Sequence, residues 1–155
     1  MPVKIPKGTT AVTPYLSVSN AAAMIDFYKS IFGATETLRL QQPDGRIGHA
    51  ELKINGGTIM LADEFPEMGF VSPATLGGTR SPVSIHLYVD NVDEVYKRAL
   101  AAGATSLRAP EDQFYGERHA QIRDTSGHCW DISMLVEEVS PEEMQKRFQK
   151  LVNPS

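Results

Sequence analysis

The stretch YLSVSNAAAMIDFYKSIFGAT (residues 15–35) recurs in outline as HLYVDNVDEVYKRALAAGAT (residues 86–105). In both copies a strand-like start leads into a helical pattern that closes on Gly-Ala-Thr. HAELK (49–53) likewise resembles HAQIR (119–123). The first pair of segments starts at residues 15 and 86 and the second pair at residues 49 and 119, so both recur at an offset of 70 or 71 residues. A fixed internal period indicates a repeated structural unit. The chain is therefore predicted to contain two copies of one module.

The first copy has the periodicities of a β-α-β-β-β unit. Residues 12–18 alternate between apolar and polar as in a half-buried strand. Asn20 is a candidate N-cap for the helix that follows, and Gly33, which can adopt a left-handed conformation, is expected to end that helix. Asp-Gly within QPDGR (42–46) suits a tight hairpin. The apolar face of the helix is Met24, Phe27, Tyr28 and Ile31, and the remaining strands are predicted at 35–41, 47–54 and 58–63.

The second copy predicts the same order of elements. Its first strand spans 83–89, and Gly103 ends the helix that follows. The apolar face of that helix is Val92, Val95, Tyr96 and Ala99, and the remaining strands are expected near 105–109, 118–123 and 128–134.

Around the modules we expect three further segments. Residues 1–10 are an N-terminal extension, the modules occupy 11–63 and 83–136, and the Gly/Pro-rich stretch 64–82 is a linker or lid. Residues 137–155 form a C-terminal helix and tail. Ser140 and Glu143 are spaced as a capping box, and the apolar stripe Met144, Phe148 and Leu151 favours packing or a dimer contact.

Composition excludes several classes of partner. The chain has 155 residues, 41% hydrophobic and 22% charged, with a net charge of −4. These values are typical of a soluble globular protein. No basic cluster is present, so no nucleic-acid partner is expected. The chain contains no apolar run of membrane-spanning length and no leader pattern after Met1, so we expect no membrane association and a cytoplasmic location. The single cysteine, Cys129, is predicted to be buried.

Two modules of this kind, the helix end FYKSIFGA (27–34) and a D-x-x-G turn (124–127) before the last strand resemble the vicinal oxygen chelate superfamily. This superfamily includes glyoxalase I, extradiol dioxygenases, fosfomycin-resistance enzymes and bleomycin-binding proteins. TPYLSV, GHAELKINGGTIMLADE and SIHLYVDNVDEVYKRALAAGA are similar to its PhnB-like glyoxalase/bleomycin-resistance branch. The resemblance implies an α+β fold, in which two tandem βαβββ modules form a cupped mixed sheet with the helices on its outer face.

The resemblance also implies where a metal would be held. Metal-dependent members place one ligand on the first and one on the fourth strand of each module. Matched strand registers give Thr13, Met60, Ser84 and Asp131. Only Asp131 is a carboxylate, whereas a catalytic divalent ion favours His nitrogens and carboxylate oxygens. We therefore expect no metal cofactor at these four positions.

A different set of residues keeps a divalent metal open as the alternative. If Ala50 faces the core, then alternation places His49 and Glu51 on the cavity side. With His86 and Asp131 they form a non-standard ligand set of nitrogen and oxygen donors. His86 is also the best candidate general acid or base, and we name His86 and Asp131 as candidate catalytic residues. The competing interpretation is that the histidines are hydrogen-bonded pocket walls.

The remaining candidates are ligand-binding residues. Arg118 lies in EDQFYGERHAQ (111–121), a stretch suited to closing over a planar or anionic ligand through a bidentate contact to a carboxylate. The alternative for that stretch is a hairpin whose aromatics pack on the opposite module. The predicted ligand-binding set is Tyr15, Met60, Tyr88, Tyr115 and Arg118.

These observations support three functional hypotheses. The first is a protein that binds a small organic molecule, or a metal-independent enzyme, on this scaffold. The second is a metal-dependent lyase or isomerase of glyoxalase type built around His86 and Asp131. The third is an interaction module whose cavity is filled by side chains. The resemblance also implies a homodimer.

Overall fold

The computed structural model describes all 155 residues and has the predicted α+β architecture. The first module comprises β1 (Tyr15–Val18), α1 (Ala21–Phe32), β2 (Thr35–Gln41), β3 (Ile47–Ile54) and β4 (Gly57–Asp63). The second comprises β5 (Ser84–Tyr88), α2 (Val92–Ala101), β6 (Thr105–Asp112), β7 (Glu117–Arg123) and β8 (Cys129–Leu135). A C-terminal helix, α3 (Pro141–Val152), follows. None of the three helices is long and apolar enough to cross a lipid bilayer.

Each module forms its own four-stranded mixed sheet. The strand orders are β1-β4-β3-β2 and β5-β8-β7-β6, so the two sheets have the same topology. In each, the first strand pairs parallel with the fourth, and the other pairs are antiparallel. The matching topology confirms that the sequence repeat is a structural repeat.

The helices begin and end where local chemistry dictates. The side chain of Asn20 accepts from the Ala23 amide at the start of α1, and Gly33 ends the helix in the left-handed region at φ 68°. Asn91 caps α2 in the same way. Ser140 caps α3, but the Glu143 carboxylate binds Arg147, so only half of the predicted capping box forms.

One expected strand boundary is wrong. The first strand was predicted over 12–18, but β1 begins at Tyr15. Pro14 lacks an N–H and contributes only its carbonyl, which accepts from the Met60 amide at 2.9 Å. Thr13 therefore lies before the strand, where its hydroxyl donates to the Thr10 carbonyl at 2.9 Å.

Strand alternation gives each sheet one apolar and one polar face. The apolar faces pack against α1 and α2 and contribute to a core of 24 buried residues that crosses both modules. The rings of Tyr28 and Phe32 contact the indole of Trp130 at centroid distances of 5.2 and 4.7 Å. The opposite face of each sheet carries most of the candidate site residues.

The turn after β7 joins the two modules. The buried Asp124 accepts hydrogen bonds from Tyr28 Oη (2.7 Å) in the first module and Trp130 Nε1 (2.9 Å) in the second. It also accepts from the amides of Ser126 and His128, at 3.0 and 3.1 Å. Burial, with the Asp124 charge as a second cause, raises the pKa of Tyr28 well above its ordinary value, so this hydroxyl remains a donor.

Candidate functional site

The open face of the first sheet carries a row of three hydrogen-bonded side chains. Tyr15 Oη lies 2.7 Å from His49 Nδ1, and His49 Nε2 lies 3.1 Å from Glu51 Oε1. His49 and Glu51 share this face because they are two residues apart on β3, whereas Ala50 between them is fully buried. The register pairs Tyr15 and Glu51 with Met60 on β4, which fixes the row across the sheet.

The chemistry of the row determines its hydrogen-bond directions. An ionised carboxylate only accepts, so the contact with Glu51 places the neutral histidine's proton on Nε2. His49 Nδ1 is then an acceptor, and the Tyr15 hydroxyl donates to it. Burial raises the pKa of Tyr15, and the charge of Glu51 raises it further, so the phenol keeps its proton.

A cavity of about 550 Å³ lies beside Tyr15. Its other wall comes from the 64–82 segment, where Phe65 and Phe70 bridge to each other, and the Phe70 ring packs edge-on against Tyr15 at 5.8 Å. The Arg46 guanidinium lies 4.3 Å above the Phe65 ring. The lining residues are Tyr15, Gln42, Arg46, Gly48, Ala62, Phe65, Glu67, Met68 and Phe70.

The open face of the second sheet centres on Asp131. Its carboxylate accepts from Ser84 Oγ at 2.5 Å and Gln121 Nε2 at 2.8 Å, and it lies 3.1 Å from His119 Nε2. Arg80 in turn donates to the Gln121 side chain. Burial raises the pKa of Asp131, but the hydrogen bonds from Ser84 and His119 outweigh it and hold the pKa below its ordinary value.

The internal repeat relates the two polar clusters. His49 corresponds to His119, and each has Nε2 at 3.1 Å from a carboxylate. The carboxylate, however, lies on a different strand in each module. In the first module Glu51 lies on β3 beside Met60 on β4, whereas in the second Gln121 lies on β7 and Asp131 on β8. His49 Nδ1 meets Tyr15, while the buried His119 Nδ1 has no hydrogen-bond partner.

A third polar group surrounds Glu117 near the end of β5. Tyr88 Oη donates to Glu117 at 2.7 Å, and His86 Nε2 lies 3.8 Å from the same carboxylate. Burial, and then the charge of Glu117, raises the pKa of Tyr115. His86, Ser84 and Tyr15 all line a groove of about 570 Å³ between β1 and β5.

Arg118 does not lie with the other candidates. Alternation along β7 turns it to the helix-covered side, where its guanidinium makes a bidentate ion pair with Asp93 of α2 at 2.6 and 2.8 Å. A further contact to Asp112 at 2.9 Å completes its environment. The Arg118 guanidinium is thus already paired within the chain, and its expected contact with a ligand carboxylate stays a prediction. Phe114 in the same stretch packs on Phe148 of α3 at 5.5 Å rather than on the opposite module.

The predicted set omitted residues that the structure brings to the sites. Gln121 and Glu117 contact the candidates Asp131 and Tyr88, and His119 lies 3.1 Å from Asp131. The internal repeat could have indicated Gln121 as a site residue, because Gln121 occupies the position equivalent to Glu51. Phe70 contacts Tyr15, and Phe65 lines the same cavity, because the 64–82 segment folds back onto the first sheet, which no local sequence pattern predicts.

The donor set does not fit the metal that the superfamily implies. Thr13 and Met60 offer a hydroxyl and a thioether, and the Ser84 hydroxyl is already bonded to Asp131. The alternative set is also divided, because His49 and Glu51 lie on the first sheet whereas His86 and Asp131 lie on the second. No group of three or more His, Cys, Asp or Glu side chains in the chain is arranged to hold a metal ion.

Comparison with known proteins identifies the superfamily to which the chain belongs. A profile of the Glyoxalase/Bleomycin resistance protein/Dioxygenase superfamily matches residues 10–132, and the chain belongs to that superfamily. The uncharacterized protein Mb0911c of Mycobacterium bovis is 46% identical over 138 residues, which are 87% of this chain and 90% of that protein.

Two solved structures share the fold. The PhnB protein of Bacillus cereus is 17% identical, with a TM-score of 0.63 over 81% of this chain and 99% of that one. The fosfomycin resistance protein FosX of Listeria monocytogenes, crystallised with Mn(II) and sulfate, is 18% identical, with a TM-score of 0.60 over 93% of this chain and 99% of that one. The predicted resemblance to this superfamily is confirmed.

Proposed function

We propose that the protein binds a small organic molecule on the open face of its sheets, without a divalent metal at the superfamily's usual positions. The observation that carries this proposal is the position of Tyr15. It forms a wall of both the 550 Å³ cavity and the 570 Å³ groove and remains 46% exposed. Cavities of this size, lined by aromatics with a few polar groups, are the usual sites for small ligands.

The state of Asp131 supports metal-independent binding. Three neighbouring side chains already surround its carboxylate, so a metal would have to displace Ser84, His119 or Gln121. The role that fits this geometry is a rigid polar anchor, because each surrounding hydrogen bond restrains the carboxylate. The expected catalytic pair His86 and Asp131 is adjacent in the strand register, but His86 lies nearer to Glu117.

A metal-dependent lyase or isomerase is the alternative. It requires His49, Glu51, His86 and Asp131 to share one coordination sphere, although they belong to separate sheets with different hydrogen-bond partners. No observation in this chain favours that convergence.

We also propose a homodimer in the cytoplasm. Its support is apolar surface near the C-terminus, where Leu135, Val136, Phe148, Leu151 and Val152 are exposed. Sedimentation velocity of the untagged chain and of Phe148→Glu tests this proposal. A dimer that the charge dissociates is expected, and a monomeric wild type would contradict it.

Two measurements on untagged protein test the proposed function. Metal content after incubation with Zn²⁺, Mn²⁺ or Ni²⁺ and dialysis should stay far below one ion per chain. Stoichiometric metal that Asp131→Asn abolishes would refute the metal-independent proposal.

A thermal-shift screen of small aromatic and carbonyl compounds should yield ligands whose affinity falls at least about 10-fold in Tyr15→Ala. Tyr96→Ala is the matched control, because Tyr96 lies on α2 and bonds to Ser106 away from both cavities. Ligands equally affected by both changes would contradict the assignment of the site.

A further inference from the structure

The hydrogen-bond row on the first sheet limits which ligand group can meet Tyr15. Glu51 only accepts, so it places the proton of neutral His49 on Nε2, and His49 Nδ1 then accepts a hydrogen bond from the Tyr15 hydroxyl. The Tyr15 oxygen has one hydrogen, which is already donated. The remaining hydrogen-bonding capacity of this oxygen, on a side chain that is exposed and lines both cavities, is that of an acceptor.

We propose that the Glu51–His49–Tyr15 row fixes the hydrogen-bond polarity of the site, so that Tyr15 accepts from the ligand and the site selects ligands with a donor group such as a hydroxyl, phenol or amide N–H. This inference rests on the proposed ligand-binding function and specifies the ligand class of that site. Tyr15 contacts the ligand, and His49 and Glu51 are positioning residues.

Burial raises the pKa of Tyr15 above its ordinary value, and the charge of Glu51 raises it further. The phenol therefore keeps its proton and remains the donor to His49 Nδ1.

The surroundings of His49 leave Glu51 as its charged partner. On the same strand, Lys53 is directed to the Thr58 hydroxyl at 2.9 Å. The other neighbouring charges pair with one another, Arg39 with Glu36 and Arg46 with Asp44 and Glu67. The remaining side chains opposite His49 and Glu51 or against Tyr15 are Leu38, Leu40, Met60 and Phe70, together with His86 across the groove.

The second module repeats the histidine–carboxylate contact of this row. The equivalent residue, His119, holds the same Nε2–carboxylate contact with Asp131, although the carboxylate comes from a different strand. Both modules thus direct Nε2 at a carboxylate and leave Nδ1 for another partner. Only the first module supplies that partner as an exposed hydroxyl.

The ligand-free test is the imidazole tautomer of His49. Long-range ¹H–¹⁵N spectra of ¹⁵N-labelled protein, assigned with His49→Gln, should show the Nε2–H form at pH 8. Glu51→Gln should lose that bias, because a glutamine amide can either donate or accept. An Nδ1–H tautomer in the wild type would overturn the inference, whatever the protein binds.

The ligand test uses a matched pair of probes, 2-naphthol and 2-methoxynaphthalene, which share a ring system but differ in the hydroxyl donor. At pH 8 the wild type should bind 2-naphthol about 3- to 10-fold more tightly, the range expected for one net hydrogen bond. The ratio should fall towards one in Tyr15→Phe and remain in Tyr96→Phe.

The outcomes separate the two proposals. Equal affinity for both probes at pH 8, or a ratio that Tyr15→Phe leaves unchanged, overturns the proposed polarity of the site while ligand binding stands. A wild type that binds neither probe counts against the cavity as an aromatic ligand site, and the tautomer spectrum then decides the proposed polarity on its own.

Discussion

Asp124→Asn is expected to weaken the joint between the modules severely. Asp124 is 3% exposed, and its two oxygens accept from four donors. Oδ1 takes the amides of Ser126 and His128, whereas Oδ2 takes Tyr28 Oη and Trp130 Nε1. Asparagine keeps one acceptor oxygen and replaces the other with an NH₂ donor.

The magnitude follows from which donors lose their acceptor. The better orientation keeps the oxygen on the two backbone amides and turns the NH₂ towards Tyr28 and Trp130. The tyrosine hydroxyl can rotate and accept, but an indole N–H only donates. The Tyr28 O–H and the Trp130 indole N–H are then left without an acceptor, at a cost of about 1–3 kcal/mol each. We expect a loss of about 2–6 kcal/mol in the free energy of unfolding, or roughly 4–24 °C in Tm at this chain length.

Urea unfolding followed by tryptophan fluorescence measures this loss, because Trp130 is the single tryptophan and is fully buried. Asp131→Asn is the matched control. Its oxygen can still serve His119 and Gln121, and its NH₂ can donate to the Ser84 hydroxyl, so a loss below about 1 kcal/mol is expected. Equal losses in the two variants, or a loss below about 1 kcal/mol for Asp124→Asn, would refute this reasoning.

Three further outcomes can be checked. The pKa of Asp131 is depressed in the folded state, so its contribution to stability is present above the unfolded-state value near pH 4 and is lost as the pH falls through the folded value. Acid unfolding of Asp131→Asn should lack that component, and unchanged curves would contradict it. Gly127→Ala should cost about 1–3 kcal/mol more than Gly45→Ala in thermal unfolding. Both glycines have φ near +90°, but only a Cβ at 127 meets a backbone atom, the Ala74 amide nitrogen at 2.6 Å. Arg118→Ala should leave the affinity of any cavity ligand unchanged in calorimetry, because its guanidinium faces Asp93 on the helix side. A marked loss of affinity in Arg118→Ala would indicate that Arg118 contributes to ligand binding.

Much of the fold could be predicted because its signals are local. The repeat, the helix caps at Asn20 and Asn91, and the left-handed end at Gly33 depend on residues close in sequence. Alternation along β3 also predicted that His49 and Glu51 share the open face. A two-residue period requires no knowledge of the rest of the chain.

The candidate site could be predicted only in part, because a residue's face does not determine its partners. Arg118 was expected to reach a ligand, yet the docking of α2 places Asp93 within reach of its guanidinium. Thr13 was assigned to the first strand, but pairing with β4 begins only after Pro14. Both outcomes depend on long-range packing that periodicity does not contain.

The sequence alone determined two βαβββ modules with one apolar and one polar face on each sheet, since side-chain alternation and helix periodicity are encoded residue by residue. Only the tertiary structure decided the contacts between elements. It placed Ser84, His119 and Gln121 around Asp131, aligned Tyr15 with His49 and Glu51, and joined the modules through Asp124. The physical reason is that these hydrogen bonds need their donors and acceptors within about 3 Å. Strand register and module docking create that proximity between residues far apart in the chain.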